Sequence, residues 1–135
     1  MLAANNIITI FNRYTDNKRQ ERWQATVIDG ASWCYTRTSR VTKDGLKESE
    51  SCIIRIPNSA RSGGNRYVDR KNFVPHDDSW TACQKDKVVL GEISGAPEDD
   101  TLSTWLEKNC SNMVTINAVT DNRCKPLPHI RIGGV

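Results

Sequence analysis

Histidine is scarce, with only His76 and His129 in 135 residues. That leaves little imidazole for a metal cluster or for general acid–base work. The five cysteines are Cys34, Cys52, Cys83, Cys110 and Cys124, an odd count with no C-x-x-C pair. Zinc ribbons and thioredoxin-type motifs are therefore excluded, and the expectation is five free thiols in a reducing compartment, with no metal. No apolar run approaches the roughly 20 residues of a membrane-spanning helix. The start, MLAANNIITIFNRY, lacks the basic and long apolar regions of a secretory signal, so synthesis in a cytoplasm is expected. Aromatics make up 7% of the chain and are spread singly, which gives no stacking platform for single-stranded nucleic acid. RSGGNR (61–66) is rich in glycine but lacks both the lysine and hydroxyl of a phosphate-binding loop and the spacing of a dinucleotide fingerprint.

What is present is alternation. Hydrophobic residues make up 37% and charged residues 26%, as in a soluble globular chain, and the length suits one domain, 1–135. In IITIFNRY, Ile8, Ile10 and Asn12 fall on one side and Ile7, Thr9 and Phe11 on the other. RWQATVI predicts a strand with Trp23, Ala25 and Val27 on its apolar face, and Asp29-Gly30 a turn into the next strand, ASWCYTRTS. Residues 36–50 hold only two large aliphatics, Val41 and Leu46, with Asp44-Gly45 between them, which predicts a polar hairpin projecting from the body. SCIIRIP reads as a buried strand ended by Pro57, 58–66 as a loop, YVDRKNFV as another strand or extended segment and PHDDSW as a turn. EDDTLSTWLEKNC is the one helix, with an acidic first turn and Leu102, Trp105 and Leu106 on one face. The chain closes on VTDNRCKPLPHIRIGGV, in which a two-proline corner joins two strands. Many short strands with one helix predict a mainly β fold, a small antiparallel barrel or sandwich with an accessory helix and projecting loops. Its core should include Trp23, Val27, Trp33, Ile54, Ile56, Val89, Trp105 and Ile116.

Catalytic signals are weak. His76 stands beside Asp77 and Asp78 in a turn, where neighbours do not converge, and nothing in the sequence orients Ser79 or Cys83 toward it. No catalytic residue and no cofactor is therefore assigned. Charge is more informative. Residues 36–75 carry nine Lys/Arg against four acids, whereas 76–135 carry six against nine. Such a gradient suits contact with a partner of opposite sign, and it also suits ordinary solvated strands.

Several segments together carry a resemblance: ITIFNRY, ATVIDGASWCY, CIIRIP, YVD, KDKVVLGEI and above all VTDNRCKPLPHIRIGG. They resemble a family of small morphogenesis proteins of tailed phages and prophages of Gram-positive bacteria, over nearly the whole chain. The resemblance implies a non-enzymatic virion protein of the neck, a head-closure (stopper or connector) subunit. It implies a β-barrel with projecting loops in a ring, six- or twelvefold, between portal or adaptor and tail. Tail-completion, tail-terminator and minor capsid roles remain compatible with it, as does a different class, a small protein-binding regulatory module. Under the ring reading, Arg37, Arg40, Lys43, Arg61 and Arg66 are candidate lumen- or partner-facing residues, able to meet packaged DNA nonspecifically. His129, Ile130, Arg131 and Ile132 are a candidate edge strand, pairing in their own barrel or a neighbour's. Glu98, Asp99 and Asp100 are a candidate acidic partner segment. No membrane partner is expected.

Overall fold

The computed structural model describes the backbone of residues 5–42, 45–124 and 126–135, and the side chains of those residues apart from 36–42 and 45–50. The elements are β1 (Asn6–Thr15), β2 (Glu21–Thr42), β3 (Gly45–Pro57), β4 (Arg66–Tyr67), β5 (Ser79–Trp80), β6 (Lys87–Leu90), α1 (Leu102–Asn109), β7 (Met113–Asp121) and β8 (His129–Gly134). Six antiparallel strands close into a barrel in the order β1-β2-β3-β8-β7-β6, with β6 returning to pair with β1. The short parallel pair of β4 and β5 stands apart from this ring. The chain is thus mainly β with one short helix, as the alternation implies.

Asp29-Gly30 is not a turn. The register slips between Asn6↔Ala31 and Ile7↔Asp29, so Gly30 is the extra residue of a β-bulge, with a φ of 103° that glycine accommodates without strain. The bulge bends β2 away from β1, and the same strand continues along β3 from Ser32 onward. Two expected strands are therefore one strand of 22 residues that turns a barrel corner.

The faces of β2 before the bulge also differ from expectation, because α1 covers the outer side of this stretch at Trp23. Gln24, Thr26 and Ile28 are buried and Ala25 is exposed, the reverse of the expected faces. Trp23 is buried too, but on the outside of the barrel wall. There it joins Phe11, Val89, Leu102 and Leu106 in a second core beneath α1. The interior cluster is formed by Ile8, Ile10, Ile28, Cys52, Ile54, Ile56, Val88, Val114, Ile116, Ile130 and Ile132, with Trp80 and Ala82. Of the expected core, Trp23, Ile54, Ile56, Val89 and Ile116 are buried, while Val27, Trp33 and Trp105 are half-buried. YVDRKNFV contributes only Tyr67 to a strand, and Arg70–Asn72 form a single 3₁₀ turn.

Gly134 shows how tightly the closing strand is packed. A Cβ there would stand 2.9 Å from the Thr115 carbonyl oxygen and 3.1 Å from Val114 Cγ2. Backbone on one side and a buried branched side chain on the other leave no easy escape. Gly134→Ala should therefore cost about 1–3 kcal/mol by overpacking, read as a lowered midpoint in urea unfolding. An unchanged midpoint would mean that β7 and β8 are less tightly apposed than described.

Candidate functional surfaces on the barrel

The β2–β3 hairpin runs beyond the barrel. β1 leaves β2 at Ala31 and β8 leaves β3 at Cys52, yet β2 and β3 stay paired from Thr36↔Ser51 to Thr42↔Gly45. At roughly 3.4 Å per residue this ribbon projects about 20 Å. Among the described residues, no further strand pairs with the outer edges of 37–42 and 45–50, so two rows of backbone donors and acceptors are available to another chain. The register sets Arg37 opposite Glu50 and Arg40 opposite Lys47. Lys43 and the side chains of Arg37 and Arg40 lie outside the described residues. At the ribbon's base a groove of about 450 Å³ is lined by Trp33, Tyr35, Cys52, Met113, Val114 and Val135 among others. Burial pushes the Cys52 thiol up to about 11, which makes it unreactive at neutral pH.

The opposite end of the barrel is plugged. Trp80 fills it from the 73–86 loop and meets Tyr67 edge-on, with ring centroids 5.0 Å apart. The Arg123 guanidinium lies 4.8 Å from the Tyr67 ring centroid and is held by Asp121 at 2.7 Å. That ion pair holds the Asp121 carboxyl below the ordinary range, through hydrogen bonds from the Arg123 side chain and backbone. Arg66, exposed, and Asn58 rim a cleft of about 380 Å³ above this plug. The 58–66 loop is tied to the body. Asp29 and Arg61 exchange backbone bonds of 2.7 and 2.8 Å, and Asn58 N–H reaches the Pro128 carbonyl. Arg61 and Arg66 are thus held at the plugged end by the backbone around them, away from the ribbon.

The 73–86 loop is held across the barrel mouth by a buried polar network. Asn12 Nδ2 donates to the Thr81 carbonyl at 2.6 Å and to Asp86 Oδ2 at 3.0 Å, and Asn12 Oδ1 accepts from Thr81 N–H. Asp86, 2% exposed, accepts from Arg13 N–H at its other oxygen. Gln24 ties the same loop at Ser79 and His76. His76, at a φ of 61°, has its Nε2 3.0 Å from Tyr14 Oη, while the Ser79 hydroxyl points to the Val74 carbonyl. The structure therefore does not bring His76 and Ser79 together as a catalytic pair.

Asp86 carries two consequences. Its two oxygens face two donors, so an amide in its place must set an NH₂ against one of them. Asp86→Asn should cost about 1–3 kcal/mol. Burial raises the Asp86 carboxyl above its ordinary 3.8. A raised folded-state value means that the folded chain holds this proton more tightly than the unfolded chain. The stability it contributes is present at acid pH and is lost as pH rises through the raised value. The deficit of Asp86→Asn should therefore be widest near pH 4 and narrow toward neutrality in a pH series of urea melts. A deficit that grows with pH would contradict this.

β8 lies inside the ring. His129–Ile132 pair with Pro57–Ile54 on one side, and Ile130–Ile132 with Val119–Asp121 on the other. The expected edge strand is thus used within its own barrel and offers no free edge to a neighbour. The two-proline corner before it is closed by Asn122 N–H to the His129 carbonyl and by the His129 ring bonded to the Leu127 carbonyl at 2.7 Å. Lys125 lies outside the described residues. Glu98 and Asp100 are exposed, and Asp99 accepts from Thr101, which lowers its carboxyl. The Glu98 carbonyl accepts from Trp23 N–H and so fixes this acidic segment to β2. Among the described residues no group of three or more His, Cys, Asp or Glu is placed to hold a metal ion, and no helix is long and apolar enough to cross a membrane.

These features define a small β-barrel domain with one helix-covered flank and one projecting arm. The chain belongs to DUF6751, a family of unknown function, which matches it over residues 3–135. Neither the curated proteins nor the solved structures contain a match to it.

Proposed function

We propose that this chain is a structural subunit of a tailed-phage neck, a head-closure protein that forms a ring between portal or adaptor and tail. The observation that carries the reading is the ribbon. A barrel whose strands are otherwise all paired extends one hairpin about 20 Å past its body with both edges free among the described residues. An arm of that kind reaches a neighbour and adds backbone hydrogen bonds without demanding particular side chains. Closed rings follow when such contacts are heterologous and the rotation closes. The segments that resemble phage morphogenesis proteins include ATVIDGASWCY, which spans the corner of β2, and the whole C-terminal turn and strand. Arg37, Arg40 and Lys43 fall in the ribbon sequence, where a lumen-facing arm would meet DNA phosphates nonspecifically.

Deleting the gene from an inducible prophage that carries it tests this. The expected lysate contains separate tails and heads that have packaged and then lost DNA, with complementation in trans restoring infectious particles. Normal particle yield would contradict a neck role. Full heads with tails of irregular length would move the chain to tail termination.

A further inference from the structure

We infer that the outer face of β3 and β8 is a self-association surface that receives the acidic α1 flank of a second copy of this chain. The inference rests on the ring reading and names its intersubunit contact. Ile54, Ile56, Ile130 and Ile132 point into the barrel, so Arg55 and Arg131 between them point out. The register sets Arg55 directly opposite Arg131. Like charges directly opposite one another destabilise a sheet. Among the described residues neither guanidinium has an ion pair or a side-chain hydrogen bond to offset this. Ser32 and Thr120 flank the pair in the same register row. An anionic partner from outside removes the repulsion.

The matching surface is on the other side of the molecule. Residues 88–107 contain Glu92, Glu98, Asp99, Asp100 and Glu107 and no Lys or Arg, and Lys108 in the last turn of α1 is the one base of the helix. Glu92, Glu98, Asp100 and Glu107 are exposed. This segment covers the outer wall of β1 and β6 through Phe11 and Val89. In the ring order, β3 is three strands from β6 and β8 is three strands from β1, whichever way they are counted. The basic and acidic surfaces are therefore on opposite flanks, too far apart to meet within one chain. Two copies set side by side bring them together, and the same contact repeats head to tail.

Charge reversal tests it in the full chain. Arg55→Glu/Arg131→Glu makes both flanks acidic, and Glu98→Lys/Asp100→Lys removes most of the negative charge of the α1 flank while leaving the arginine face unchanged. Native mass spectrometry at low salt should show the unmodified chain self-associating and each double variant weakened by at least about tenfold. An equimolar mixture of the two variants should recover association, because each then offers the flank the other needs. Circular dichroism checks that both variants are folded. An unmodified chain that stays monomeric, variants that associate as well as it does, or a mixture that fails to recover would each overturn the inference. Binding of short duplex DNA that is lost in the arginine variant, without self-association, would overturn it too, by giving the face to nucleic acid. The neck reading fails separately, if the chain is absent from particles while its charge-dependent association persists.

Discussion

Replacing residues 38–49 with Asn-Gly should leave a folded barrel that no longer assembles into a working neck. The substitution keeps Arg37↔Glu50 as the last cross-strand pair and closes it with a two-residue turn suited to a hairpin. Every pair it removes is internal to the ribbon, so the barrel strands and both apolar clusters keep their partners. The unfolding midpoint should move by no more than a few degrees. Charge-dependent self-association through the β3–β8 face should survive, because both flanks are untouched, whereas a working neck should not form, because the free backbone edges go with the arm. In a complemented prophage the shortened chain should give no infectious particles, and heads should lose their DNA. Particles formed as well by the shortened chain as by the full one would remove the ribbon from the mechanism.

Trp80→Ala should be among the most damaging single changes to stability. Trp80 is 4% exposed, closes one end of the barrel, and packs on both the interior cluster and Tyr67. It also lines the cleft of about 380 Å³, so truncation would open the interior to that cleft. Loss of a buried tryptophan side chain costs about 3–5 kcal/mol, against a total stability of about 5–15 kcal/mol for a domain. Urea unfolding should show that loss, with Trp80→Phe recovering most of it. A loss below about 1 kcal/mol would mean that the loop does not plug the barrel.

The burial of Trp80 is not legible in the sequence. The residue sits at the end of PHDDSW, read as a turn; residues 75–78 do turn, but Ser79–Trp80 form β5, a strand too short to give a period from which inward direction can be inferred. Burial comes instead from the loop being tied across the barrel by Asn12, Gln24 and Asp86, contacts that span more than fifty residues. Where a strand is long and alternates, as in Ile8–Ile10 or Ile54–Ile56, the inward face is legible. β2 misleads for a physical reason. Its outer face is covered by α1 at Trp23, so the large residue marks the wrong side, while its inner face carries Gln24 and Thr26. The Thr26 and Thr81 hydroxyls are buried without a hydrogen-bond partner among the described residues, and no hydropathy pattern would place them there.

The candidate surfaces were legible to different degrees. The polar hairpin follows from composition alone, because residues with two aliphatics in fifteen cannot fill a core. The acidic run before α1 is equally plain. The Arg55–Arg131 pair is invisible in sequence, since it exists only through the β3–β8 register. His129–Ile132 is legible as a strand, but its place between β3 and β7 depends on barrel closure, which no local signal specifies.

A cryo-EM map of the neck of the intact particle tests the central claim most directly. The account predicts a ring of six-stranded barrels between portal and tail, each ribbon reaching an adjacent subunit and each β3–β8 face against the acidic flank of the next. A neck whose densities are all accounted for by other chains, with this barrel absent from it, would contradict the account.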